Sequence, residues 1–305
     1  MELWIPITIA AAFLQNVRSA LQKHLTGHLS TTGATFVRFG YGFPVAVAYV
    51  VFLHYGTDAS WPALHARFWG FAMGGGISQI FATFMLVHLF SLRNFAVGTA
   101  YSKTEPLQAA IFGVVILGDV TSVGATIAIL VGLAGVVVIS VAHAPRTAGG
   151  VASSLTSRGA LIGLASGACF GLSAVLYRAS SLSLEGDGSP GFLMQAGFTL
   201  LCVTGFQTVM MTVYMLLREP GQITAVRGQW RMGALVGLAG VLGSIGWFTA
   251  MTIQNVAYVR ALGQIELIFT FGASYFFFRE KINKAEVAGV TLIAACIVIL
   301  LMDRI

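Results

Sequence analysis

The sequence predicts an all-α polytopic membrane protein of ten transmembrane helices, arranged as two inverted five-helix repeats around a central cavity. Three observations predict it. Of 305 residues 57% are apolar and 9% charged, whereas a soluble domain carries about 25% charged residues. Apolar runs bounded by charge, Gly or Pro recur along the whole chain. At roughly 1.5 Å per residue, each can cross a hydrocarbon core of about 30 Å. Finally, the stretch 94–119 falls without a gap on 255–280, placing Asn94 on Asn255, Ala96 on Ala257, Ala100 on Ala261, Glu105 on Glu266 and Asp119 on Glu280. A carboxylate at membrane depth costs about 2.5–3.5 kcal/mol, so two at matched positions call for a cause.

The first half contains spans 4–22, 32–54, 67–90, 94–117 and 121–142. Its first run, MELWIPITIAAAFLQ, lacks the basic start of a cleaved signal peptide and is expected to stay as span one. Span three carries Gly74, Gly75 and Gly76, which suit close helix packing. In span four Pro106 removes a backbone hydrogen bond and crowds the carbonyl of Ser102, predicting a kink beside Glu105. The small, polar stretch 143–157 follows span five and divides the chain into a first repeat (1–145), a linker (146–157) and a second repeat (158–305).

The second half contains spans 158–178, 191–216, 229–251, 255–278 and 284–302. Gly233, Gly237, Gly240, Gly243 and Gly246 line one face of span eight and are read as packing residues. Five spans per half make the second half enter the bilayer from the opposite side. Asp119 and Glu280 end the matched helices, where each is expected to cap the helix that follows.

Basic residues set the orientation. Arg18, Lys23, Arg93, Arg146, Arg158, Arg218, Arg227, Arg231, Arg279, Lys281 and Lys284 flank odd-numbered loops, against Arg67, Arg178 and Arg304 at even loops and the C-terminus, with Arg38, Lys103 and Arg260 inside spans. The positive-inside rule then leaves both termini outside. The net charge of +6 is absorbed by this bias and gives no reason to invoke nucleic acid. Cys169, Cys202 and Cys296 sit inside apolar runs without metal-ligand spacing and are read as small apolar side chains. No metal or cofactor is expected.

Arg38, Lys103, Glu105 and Glu266 fall within the hydrocarbon depth. Lys103 and Glu105 are two residues apart, about 200° around a continuous helix, and are expected to face different neighbours. Helical spacing places Gly98, Tyr101, Gln108 and Phe112 beside Glu105. Gln15, Asn16, Gln79 and Gln264 are amides near the midplane, suited to reading a polar ligand. The expected substrate-binding set is Gln15, Asn16, Gln79, Tyr101, Lys103, Glu105, Trp247, Gln264 and Glu266, with Glu105 and Glu266 the candidates for proton coupling. Two alternatives stay open for Trp247 and Tyr258, which also suit an aromatic belt. Arg260 is expected to snorkel to the headgroups, and His88 to lie at an interface.

The ten short spans in two halves, the helix ending Leu117-Gly118-Asp119 and its counterpart Phe278-Arg279-Glu280 together resemble the drug/metabolite transporter superfamily, in particular its EamA-like carriers. The resemblance covers nearly the whole chain. It implies a central cavity surrounded by spans one to four and six to nine, and export of small metabolites such as amino acids. One departure concerns the small multidrug members, which carry a membrane-embedded glutamate in the first helix. Here span one offers Gln15 and Asn16, with only Glu2 at its edge.

The function expected is therefore a secondary transporter of a small polar or zwitterionic metabolite in a bacterial inner membrane, its partners the substrate and the lipid bilayer, as monomer or homodimer. A passive channel is the alternative. An intramembrane enzyme is less well supported, because no H-E-x-x-H, G-x-S-x-G or G-x-x-x-x-G-K-[ST] pattern occurs.

Overall fold

The computed structural model describes residues 2–91, 101–143, 158–185, 191–276 and 284–303. All regular secondary structure among them is helical: α1 (Trp4–Leu25), α2 (Thr31–Gly40), α3 (Phe43–Thr57), α4 (Ala66–Ser91), α5 (Glu105–Leu117), α6 (Val123–His143), α7 (Arg158–Leu182), α8 (Gly191–Arg218), α9 (Gln222–Gly228), α10 (Trp230–Ile253), α11 (Val256–Gly263), α12 (Ile265–Phe276) and α13 (Lys284–Met302). Five stretches are long and apolar enough to cross a membrane, namely α2 with α3, α4, α7, α8 and α10. Residues 105–117, 123–138 and 287–302 are shorter apolar helical segments. Asn94, Gly98, Glu280 and the linker 146–157 lie outside the described residues.

Helix ends follow local chemistry. Ser30 caps α2 by accepting from the Gly33 N–H at 3.1 Å. The second apolar span, expected to be continuous, breaks at Tyr41–Gly42 because Pro44 enters the first turn of α3 without an N–H to donate. Gly118 closes α5 with a left-handed φ of 70°, and the Asp119 N–H then reaches back to the Gly113 carbonyl at 3.1 Å. That turn aims Asp119 at Arg178 of α7, whose Nε lies 3.0 Å from its carboxylate. Nη1 of the same arginine donates to the carbonyls of Met251, Thr252 and Gln254, closing the C-terminal end of α10. Asp119 is thus structural, but it does not cap the next helix as expected. Ser122 does, accepting from the Ala125 N–H at 2.9 Å.

The principal helix contacts join the part of the chain before residue 143 to the part after 158. α1 packs along α10, α4 along α7, and α6 along α13; α5 touches α7 and α11, and α8 touches α2 and α3. The glycine face of α10 makes this possible, as the sequence predicts. A Cβ at Gly237 would lie 2.7 Å from the Tyr41 carbonyl carbon, and one at Gly246 would lie 2.9 Å from the Ala11 Cβ. Gly75 makes the same kind of room for the Tyr177 ring, whose hydroxyl donates to the Gly75 carbonyl.

Candidate functional site

Two helices are interrupted just before an acidic residue, and these interruptions build the site. In the first, the chain turns at Lys103–Thr104, with the Thr104 N–H donating to the Tyr101 carbonyl at 3.2 Å. α5 then begins at Glu105, with Pro106 in its first turn. The opening that Pro106 predicts is present. Lys103 and Glu105 line the same cavities but face different partners, as expected: Lys103 meets Glu266, and Glu105 meets Arg260. In the second interruption, Gln264 separates α11 from α12, which places Glu266 in the first turn of α12. Each carboxylate therefore sits at the electropositive start of a helix.

The charges pair across the two parts of the chain. Lys103 forms an ion pair with Glu266, and Gln15 of α1 donates to the same carboxylate at 2.9 Å. Asn16 donates to the Glu266 backbone carbonyl at 3.2 Å. Glu105 and Arg260 approach to 3.0 Å, an ion pair whose N–H direction falls short of a hydrogen bond. Arg260 also stacks on Trp247, its guanidinium carbon 4.5 Å from the ring centroid. The expectation that Arg260 snorkels is thereby corrected. The residue is only 8% exposed, because the break at Gln264 leaves α11 as a short helix buried among its neighbours.

Gln15, Lys103, Glu105, Trp247, Gln264 and Glu266 line one cavity of about 20 Å³, with Arg260, Pro106 and Gly263 completing it. A second, of about 30 Å³, shares Gln15, Lys103, Glu105 and Arg260 and adds Arg18, Ser19 and Ser102. Each has room for one or two waters, so the site is closed. Trp247 Nε1 and Gln264 Oε1 are buried here without a hydrogen-bond partner among the described residues. These are polar atoms available to a ligand or to water. Trp247 is thus a cavity residue rather than a belt residue, and Tyr258 is likewise buried, its hydroxyl donating to Ser122 Oγ.

Two expected site residues lie elsewhere. Gln79 accepts from Gln207 at 3.0 Å and lines a separate cavity of about 10 Å³ with Arg38, Thr204 and Ser244. Tyr101 is half-buried and is not among the residues lining these three cavities. Gln108 turns from Glu105 toward α7, where it meets the Leu164 carbonyl at 3.4 Å. One residue of the site was missed altogether: Arg18, assigned to a loop flank, is 3% exposed and lines the larger cavity. Its signal is the row Thr8, Ala11, Gln15, Arg18, Gln22, Leu25 at steps of three and four, one helix face that is buried except at the half-buried Gln15.

No family model matches this chain, and no curated protein matches it. A solved structure described only as the crystal structure of a protein superposes with a TM-score of 0.69, covering 98% of this chain and 97% of its own at 18% identity. That likeness shows that the fold recurs along the full length.

Proposed function

We propose that this chain is a secondary transporter, an exporter of a small polar or zwitterionic metabolite that works by alternating access between two inverted five-helix repeats. The observation that carries the proposal is the pair of crossed ion pairs at the two helix interruptions, Lys103 with Glu266 and Arg260 with Glu105. Broken helices that bring charged groups together between repeats are a recurring plan for substrate and ion sites in such carriers. Ten spans follow if the segment ending in α5, α2 with α3, and α11 with α12 each count as one, and α9 as none. Exchanging the halves then turns the α1–α10 contact into the α7–α4 contact, and α6–α13 into itself. This reciprocity supports inverted repeats. The resemblance of the sequence to EamA-like carriers supports amino acids as the substrate class and a bacterial inner membrane as the location.

The same two carboxylates are the candidates for proton coupling. A proton reaching either carboxylate removes the charge that holds Lys103 or Arg260, and so loosens the seam between halves. The test begins with a thermal-shift screen of purified protein against a metabolite library. Flux of the best stabiliser is then measured in vesicles, with and without a pH gradient. Saturable counterflow that falls at least about tenfold in Glu105→Gln and Glu266→Gln is expected, as for loss of a charge-assisted contact. Undiminished transport by both folded variants would refute the site, and flux that neither saturates nor shows counterflow would favour the channel.

A further inference from the structure

Among the described residues the charges gathered at this site do not balance. Four cations, Arg18, Arg38, Lys103 and Arg260, gather around two carboxylates, Glu105 and Glu266, and the carboxylates are already taken by Lys103 and Arg260. Among the described residues neither Arg18 nor Arg38 has a carboxylate partner. Arg18 reaches only the Ser19 hydroxyl, at 3.2 Å, and its Nε is buried with no partner. Arg38 donates to Thr83 at 3.0 Å and lies beside the Phe39 ring. They are 3% and 5% exposed, so solvent does not screen them. Nor are they apart: a Cβ at Gly240 of α10 would sit 3.3 Å from Arg38 Cγ and 3.4 Å from Arg18 Cδ. Both stems pack against one glycine, and the two residues line different cavities.

Burying a guanidinium with no ion-pair partner is costly, and the cost is greater for two of like charge side by side. Guanidinium is also the group whose planar fork of donors matches an oxyanion. We propose that the ligand of this site is a small organic dianion of the dicarboxylate kind, one acidic group held by Arg18 and the other by Arg38. This rests on the carrier reading and narrows its small polar class to anions: a zwitterion brings one carboxylate and no net charge to two guanidinium groups. Thr204 and Ser244 line the cavity beside Arg38, and Gln15 lines the one beside Arg18. With so little free volume, the site admits the dianion only when the halves part.

The experiment uses the full chain purified in detergent, with succinate as the dianion, alanine as the zwitterion, and the variants Arg18→Gln and Arg38→Gln. Succinate at millimolar concentration raises the unfolding midpoint of the wild type and alanine does not. Each substitution weakens succinate binding about tenfold or more, the change for one charge-assisted contact. Without ligand, each variant keeps or raises the midpoint, since like-charge repulsion is relieved. The proposal is overturned if succinate has no effect, if alanine matches it, if the variants bind succinate as the wild type does, or if both ligand-free midpoints fall, which would make the arginines structural. Vesicle flux separates the two readings. Alanine transport with no response to succinate removes the dianion and leaves the carrier, whereas succinate binding without flux removes the carrier and leaves the anion site.

Discussion

Neutralising Glu266 in the ion pair with Lys103 tests the architecture of the site without any knowledge of substrate. Glu266→Gln keeps the shape and the hydrogen-bonding capacity toward Gln15, but it strips the charge that faces Lys103. Removing one partner of a fully buried pair costs about 3–5 kcal/mol. The Lys103 side chain keeps 27% of its surface exposed against 9% for Glu266, so part of the lost interaction is recovered from water. About 2–3 kcal/mol is the expected loss, and the same range applies to Lys103→Met. In the double variant neither charge is stranded, so the losses should fall short of additive by about 1–2 kcal/mol. Chemical unfolding in detergent micelles, followed by intrinsic fluorescence, measures all four corners of the cycle. Losses that add to within about 0.5 kcal/mol would mean that the two groups do not interact, and the crossed pairing would be refuted.

Other substitutions probe the frame that holds the site. Gly237→Ala forces a Cβ to within 2.9 Å of the Gly42 nitrogen and should cost about 1–3 kcal/mol in the same unfolding assay, whereas Gly228→Ala, with nothing within 4 Å, should be neutral or slightly stabilising. Arg178→Met loses three carbonyl contacts and the Asp119 pair; a drop of about 2–4 kcal/mol is expected, and faster amide exchange at the end of α10 should accompany it. Ser122→Ala removes the cap of α6 and should cost about 1 kcal/mol by unfolding midpoint.

Helix positions and the interruption at Lys103–Thr104 were legible because hydropathy and proline act locally. The break at Gln264 was not: no proline marks it, and it is held by the packing of α11 among α1, α5, α6 and α13. This one unseen break accounts for the misreading of Arg260, since on an unbroken helix the residue is placed near the membrane edge. Glu105 and Glu266 were singled out from the expense of acids in apolar runs, but their partners depend on which helices meet, and a sequence offset of 161 carries no contact information. Arg18 was missed for a simpler reason. Span one was ended at residue 22, which made Arg18 a flank, whereas the buried face of α1 continues to Leu25. Gln79 and Tyr101 have the chemistry of the site but not its position. Polarity at membrane depth marks a residue that needs a partner, and for Gln79 that partner is Gln207.

The crossing of the two ion pairs bears on how the protein is made. Neither Lys103 nor Glu105 meets its counter-charge until residues 260–266 have been synthesised and inserted. During translation the N-terminal part of the chain would therefore wait with these ionised groups unmatched, exposed to surveillance by proteases. A gene cut at the linker should yield two fragments that are each short-lived, and that rescue one another when they are produced together.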